Sequence, residues 1–319
     1  MRASTSSRQA ERVVILRALK LGDFLTGIPA YRALRRAHPR AEIVLAAPRA
    51  LQPLRELAGD ALDRIVDARA LAPLAPELHG ADVGVNLHGR GPQSHRVLLD
   101  AHARELLAFR NGEIPESAGG PQYDPDEHEV TRWCRLLQHY GIAADPRELD
   151  LGVPPILVPR RIRGATLIHP GAASEARRWP VERWIEVARA EQRLGRTVVI
   201  TGGPDEVGRA RRVADAAGIP STHVYAGRTN LRELAALVAA AGRVVCGDTG
   251  VAHLATAYRR PSVVLFGPIA PAAWGPPQRP YHRVLWNGTT GDPHADRVDP
   301  GLLAIPPERV IAALDGLGA

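Results

Sequence analysis

Five short stretches of the chain carry residue types that could do chemistry. The first, RALKLGD at 17–23, places Gly22 and Asp23 just past a β-branched run and at the opening of a helical pattern. Ligands of open α/β sheets sit beyond the carboxyl ends of strands, and helix N-termini draw anions. An aspartate here can equally well cap the helix. GxGxxG is absent and the one lysine precedes the glycine, so neither a dinucleotide fingerprint nor a P-loop fits. The second stretch, HPGAAS at 169–174, runs on to Arg177, Arg178, Trp179 and Pro180. Its small residues let backbone N–H groups approach an anion, which an arginine can clamp; the alternative is a surface loop anchored by Trp179. The third, GDTGVAH at 247–253, opens a helix with backbone donors, and His253 lies four residues after Thr249, on the same side of the first turn. That suits a diphosphate, or is an ordinary turn. The fourth, LHGRGPQS at 87–94, is another polar, glycine-rich strand end. The fifth, DPDEHE at 124–129, holds the one D-x-D; it starts a helix rather than ending a strand, so capping and first-turn acids account for it better than a metal does.

Such stretches need strands to end on and helices to open. Strand-like and helix-like runs alternate throughout, the pattern of parallel α/β sheets. Residues 13–17, 42–47, 65–66, 81–87 and 103–109 read as strands. Residues 24–34 read as a helix ended by Pro39, and 127–140 as an amphipathic helix closed by Gly141. Pro154, Pro155, Pro159, Arg160, Arg161 and Gly164 mark an exposed linker. A second series follows, with strands at 165–169, 197–201, 243–246 and 262–266. Its helices fall at 180–194, with Pro180 in the first turn, at 205–217, at 230–241 behind Asn230 as cap, and at 306–314. No short-period repeat is visible. The pattern predicts two doubly wound domains.

The chain has 319 residues, enough for two domains of ordinary size and for cores that need no staples. Hydrophobic residues at 45% and charged residues at 24% argue against disordered, collagen-like and coiled-coil classes. The net charge is +7, and Lys20 is the only lysine among 41 basic residues. That skew looks like coding bias. The arginines are scattered, with no basic stripe of the kind that binds nucleic acid. They make a solvated basic surface, or one drawn to phosphates or an anionic membrane face. Cys134 and Cys246 lie far apart without metal spacing and read as free thiols in a reducing compartment. The polar, Ser-rich opening through Arg12 lacks the apolar core of a targeting segment. The longest apolar run, 234–242, is far short of the roughly 20 residues of a membrane span. A cytoplasmic protein is expected.

In this order, VVILRALKLGDFLTGIPAYRALRRAHP, LHGRGPQS, HEVTRWCRLLQHYGI, HPGAASEARRWPVERW, VVITGGPDE, and CGDTGVAHLATA with PSVVLFGP resemble glycosyltransferase family 9, the ADP-heptose:lipopolysaccharide heptosyltransferase family. The resemblance runs from Val13 to Leu314. It implies an α/β GT-B fold, two Rossmann-like doubly wound domains facing a central cleft. Residues 1–155 would bind the acceptor, 156–305 the nucleotide-sugar, and 306–319 would form a C-terminal helix packing back on the first domain. The activity implied is inverting, metal-independent transfer of a sugar, heptose from ADP-heptose, to a hydroxyl of a glycan or glycolipid, as in lipopolysaccharide core biosynthesis. No cofactor is implied, and contact with the inner membrane face is.

Residue by residue, the resemblance makes Asp23 the catalytic base. Asp248, Thr249, Gly250 and His253 match the donor-binding motif. Arg177 stands where the family often has lysine, and Gly171, Ala172 and Glu206 (or Asp205) join the donor side. Arg17, Lys20, Gly22, His88, Arg90, Gln93 and Ser94 fall on the acceptor side. Backbone donors at Thr249 and Gly250, with His253 and Arg177, would stabilise charge on the departing diphosphate. Two departures bear on the sugar and the acceptor. Leu19-Lys20 replace the small hydroxyl residue frequent before GD, and the familiar F-G-x-T-x-P reads Phe266-Gly267-Pro268-Ile269-Ala270-Pro271. Other readings are a family member acting on another envelope glycan or a secondary metabolite, a GT-B nucleotide-sugar epimerase, and a non-enzymatic sugar-binding module.

Overall fold

A computed structural model describes residues 10–317, so the Ser-rich opening lies, through residue 9, outside the described residues. The chain divides into two compact units, one ending at Leu149 and the other starting at Asp150.

The first unit is built on five parallel strands, β1 (Arg12–Leu16), β2 (Glu42–Ala47), β3 (Arg64–Asp67), β4 (Val83–Asn86) and β5 (Glu105–Leu107), in the order β3-β2-β1-β4-β5. Central strands of a parallel sheet are covered on both faces and read as unbroken apolar runs. Val13, Val14, Ile15 and Leu16 of β1 are all buried, as that requires. The winding reverses between β1 and β4, which places the ligand crevice of such a sheet beyond their carboxyl ends.

After β1 the expected single helix is two, α1 (Leu21–Thr26) and α2 (Ile28–Ala37). Gly27 divides them. A Cβ there would lie 2.4 Å from the Tyr31 hydroxyl, and Pro29 has no N–H to continue the α1 ladder. Helices α3 (Gln93–Asp100) and α4 (Glu129–His139) complete the unit.

The second unit repeats the plan with β6 (Thr166–His169), β7 (Val198–Ile200), β8 (Arg243–Gly247), β9 (Ser262–Leu265) and β10 (His282–Leu285), all parallel in the order β10-β9-β8-β6-β7. Here the reversal falls between β6 and β8. Its helices are α5 (Val181–Arg193), α6 (Val207–Ala217), α7 (Leu231–Ala240), α8 (Gly250–Ala257), the short α9 (Pro271–Trp274) and α10 (Pro300–Leu303), and α11 (Pro307–Asp315). Asn230 caps α7 as expected, accepting from the N–H groups of Arg232 and Glu233 at 2.9 and 3.0 Å.

Two boundaries differ from expectation. Asp150 to Gly152 already belong to the second unit, because Leu151 N–H donates to Ala257 O and the Tyr258 hydroxyl to Gly152 O. The C-terminal helix α11, expected on the first domain, packs on α5 and β9 of its own unit, where Val310 and Leu314 are fully buried. Trp179 anchors the chain leading into it, donating from Nε1 to Ile305 O at 3.1 Å. Among the described residues no helix is long and apolar enough to cross a membrane.

Candidate active site

In the first unit the site grows from the β1–α1 loop. Asp23 is the third residue of α1, not its cap. Its Oδ2 reaches back to accept the N–H of Lys20, the exposed capping residue, at 3.2 Å. Arg17 lies beneath, fully buried. Its Nε donates to Asp23 O at 2.6 Å, Nη1 to Leu87 O, and Nη2 to Thr26 Oγ1 at 3.0 Å and Glu129 Oε1 at 2.9 Å. Nη2 is also 3.8 Å from Asp23 Oδ1. The guanidinium stacks 4.9 Å over the Trp133 ring, and Trp133 Nε1 donates to Glu129 Oε1 at 2.8 Å. Burial pushes the Asp23 carboxyl above its ordinary value; Arg17 pulls against it, and Glu129 adds to it.

The loop after β4 supplies the neighbouring wall of that crevice. His88 is half-buried and takes the Ala18 N–H on Nδ1 at 3.2 Å; burial lowers its pKa, with Arg17 adding to the effect. Arg90 and Gln93 are exposed, and Gly22 is half-buried. Two residues expected to meet an acceptor face inward instead. Ser94 is buried and accepts from Asn86 Nδ2 at 2.8 Å, and Arg17 spends its donors on the protein. A side chain that is satisfied and dry shapes the loop rather than touching a ligand.

In the second unit the loops after β6 and β8 flank the reversal, and one ion pair ties them together: Arg177 Nη1 lies 3.2 Å from Asp248 Oδ2. Asp248 is buried, which raises its pKa against the opposing pull of Arg177. Arg177 Nε is buried without a hydrogen-bond partner among the described residues. Thr249 caps α8 with extended backbone and no side-chain capping bond, and Gly250 follows it as the first residue of the helix. His253, one turn on, meets the Trp274 ring edge-on at 5.9 Å.

The loop at 170–174 is held from both sides. Arg178 Nε donates to Ala172 O at 2.9 Å and Nη1 to Glu175 Oε2 at 3.0 Å. Gly171 passes so close to Glu206 that a Cβ would lie 2.0 Å from Oε1. Glu206 Oε2 accepts the Gly203 N–H at 2.7 Å and stands 3.6 Å from His169 Nε2. Asp205 is exposed beside it.

Glu129, which pairs with Arg17 beneath Asp23, is not singled out by the sequence, where an acid beside the D-x-D reads as a first-turn charge. The available signal was its place in the stripe Glu129, Trp133, Leu136, Leu137, the one acid among residues that all prove buried. Asp124 and Glu127 have local work instead: Asp124 Oδ1 takes the Asp126 N–H and Glu127 pairs with Arg135. Among the described residues no three His, Cys, Asp or Glu side chains gather as metal ligands.

A family model described as glycosyltransferase family 9 (heptosyltransferase) matches residues 121–300. The chain is 24% identical to lipopolysaccharide heptosyltransferase 2 of Escherichia coli K12, over 96% of this chain and 98% of that one. Its fold is similar to that of E. coli ADP-heptose lps heptosyltransferase II, with a TM-score of 0.75 at 22% identity, covering 96% of this chain and 98% of the other. It is also similar to E. coli heptosyltransferase WaaC with ADP, with a TM-score of 0.71 at 18% identity, covering 96% and 100%. Matched by the family model over more than half its length, the chain belongs to glycosyltransferase family 9, the heptosyltransferases.

Proposed function

We propose that this glycosyltransferase moves heptose from ADP-heptose to a hydroxyl of a lipopolysaccharide core acceptor, with inversion and without a metal. The observation that carries the reading is Asp23. It is a carboxylate at the carboxyl end of the first sheet, raised by burial yet still partly exposed, in the first turn of α1, which Arg17 locks from below. The names of the similar proteins, which specify heptosyltransferases, ADP-heptose and lipopolysaccharide, support the choice of donor and acceptor.

In this mechanism the second unit holds the nucleotide-sugar. Arg177, the backbone at Thr249 and Gly250, and His253 receive the diphosphate, while Gly171, Ala172, Glu206 and Asp248 shape its surroundings. The acceptor oxygen attacks the anomeric carbon as the bond to the diphosphate oxygen breaks, and ADP leaves with that electron pair. Asp23 takes the acceptor's hydroxyl proton, so one displacement inverts the centre. Lys20, His88, Arg90 and Gln93 line the acceptor side. Cationic and backbone donors stabilise the leaving charge. The net charge of +7 suits an acceptor carried on an anionic membrane face.

The test is a panel of ADP-, GDP- and UDP-sugars with lipopolysaccharide core acceptor, read by mass spectrometry with and without EDTA. Consumption of ADP-heptose with one ADP released per heptose added, unaffected by EDTA, is expected. Preference for another sugar nucleotide overturns the donor assignment, and activity lost to EDTA and restored by Mg²⁺ overturns metal independence.

A further inference from the structure

We propose that Glu129, at the start of α4, is a positioning residue for the transfer: it draws the Arg17 guanidinium to itself and so leaves the Asp23 carboxylate free to accept a proton. The proposal rests on the reading of Asp23 as the base, and adds a residue outside the β1–α1 segment that carries it.

The argument begins with geometry. A buried guanidinium beside a carboxylate favours the ionised form and makes it a poorer base. Arg17 is such a neighbour, yet its Nη2 is 2.9 Å from Glu129 Oε1 and 3.8 Å from Asp23 Oδ1. The hydrogen bond therefore goes to Glu129, and Asp23 is left with the longer contact. Glu129 is fixed for this purpose by Trp133 Nε1 at 2.8 Å and by Arg132 on its other oxygen. Thr26 and Leu87 O hold the guanidinium from other directions. Of the two carboxylates, Glu129 is the drier, with 6% of its side chain exposed against 22% for Asp23. One acid thus answers the buried cation while the other keeps access to solvent.

The charged and titratable groups facing Asp23 come from every surrounding element. They are Arg17 and Lys20 just before it and Tyr31 on α2, and, through the Arg17–Glu129 pair beside it, His88 after β4 and Glu129 with Arg132 on α4. Of these only Glu129 both contacts Arg17 and carries the charge that opposes it.

The test separates positioning from mere structure by the sign of a shift. In Glu129→Gln, Arg17 turns its charge to Asp23. The acid limb of kcat/KM should move to lower pH, and the plateau rate should fall by about 3–10-fold as the base weakens. In Arg17→Gln/Glu129→Gln both charges go, and the limb should return to the wild-type position or above it. A purely structural Glu129 lowers the rate with no movement of the limb, or moves both variants alike; either result overturns the proposal. The Asp23 carboxyl is also titrated directly by ¹³C NMR in the full chain without substrates, its signal assigned by Asp23→Asn. Turnover retained in Asp23→Asn sinks the base itself. Turnover lost there, with an Asp23 titration unmoved in Glu129→Gln, sinks only the role of Glu129. Should Glu129→Gln fail to fold, Glu129→Asp, which draws the carboxylate back by one methylene, takes its place. A downward shift of the Asp23 titration supports the proposal, and an unmoved one counts against it equally.

Discussion

Arg17 grips Asp23 by its backbone rather than by its carboxylate: Nε donates to the Asp23 carbonyl at 2.6 Å, whereas Nη2 stands 3.8 Å from Oδ1. The backbone of the first turn of α1 is thereby pinned to β1 through a side chain that water does not reach. The carboxylate keeps one oxygen on the Lys20 N–H. An acid held in this way has a fixed position and an adjustable charge, the combination a general base needs.

Asp23→Asn preserves that geometry and removes the basicity. Transfer should fall by about 10²–10⁴-fold, the usual worth of a general base. ADP affinity, measured by calorimetry, should be unchanged, since the residues proposed to hold the donor belong to the second unit. Turnover within tenfold of wild type eliminates Asp23 as the base.

The two carboxylates should pull stability in opposite directions with pH. Asp23 is raised in the folded state, so its ionised form costs stability at neutral pH and its protonated form does not. Asp23→Asn should therefore be more stable than wild type at pH 7. The gain should shrink as pH falls through the raised value and vanish below the unfolded value of about 3.9. Burial alone would raise Glu129, but Arg17, Arg132 and Trp133 outweigh it and hold the carboxyl low. Its stabilisation is present above the unfolded value of about 4.3 and is lost as pH falls through the lower folded one. Glu129→Gln should cost, at pH 7, toward the lower end of the roughly 3–5 kcal/mol for a broken buried pair, and the deficit should close in acid. Urea titrations from pH 3 to 8 check both signs.

Much of this was legible because the relevant signals are local. Val13 to Leu16 read as a strand since both faces of β1 are covered, and Asn230 read as a cap since its bonds run two and three residues ahead. What escaped depends on distance or exposure. Strand β10 lies at a sheet edge with Arg283 and Val284 exposed, so His282–Leu285 shows no apolar period. Gly27 is required between α1 and α2 because the Tyr31 hydroxyl leaves no room for a Cβ, a neighbour set by side-chain packing. Glu129 finds its partner 112 residues upstream, and an acid at a helix start already has an adequate local explanation in the helix dipole. Ser94 reads as a ligand contact until the fold turns it toward Asn86.

Gly171→Ala offers a test of how the loop after β6 is packed. Its methyl group would meet the Glu206 carboxylate at 2.0 Å and push it off the Gly203 N–H. Loss of that charge-assisted hydrogen bond should cost about 1.5–3 kcal/mol of stability. In a Glu206→Ala background the same substitution should be nearly neutral, a coupling that a double-mutant cycle in urea measures. Equal costs in both backgrounds would remove the contact from the account.

Arg177 pairs with Asp248 in the structure and is proposed to meet the diphosphate, and the two roles can be pulled apart. It lies 3.2 Å from the buried Asp248, and its Nε is buried without a partner among the described residues. Arg177→Ala should weaken ADP binding by about 1.5–3 kcal/mol, roughly ten- to 150-fold, if the guanidinium meets the diphosphate. It also strands Asp248, whose carboxyl burial already raises, so the variant should lose stability at pH 7 and recover it as the pH falls and that acid takes a proton. Arg177→Ala/Asp248→Asn removes the stranded charge. It should regain the stability while leaving ADP affinity low. Arg177→Lys should restore part of the affinity, because an ammonium supplies the charge without the planar fork. Arg178→Ala is the contrast: that side chain bonds Ala172 O and Glu175, so its loss loosens the loop and should cost ADP less. Calorimetry with ADP on these five proteins and on Asp248→Asn alone, beside urea melts, decides between the roles. Affinity that returns together with stability in the double variant makes Arg177 a purely structural partner of Asp248, and affinity that stays low there while Asp248→Asn alone binds ADP normally assigns the Arg177 guanidinium to the diphosphate.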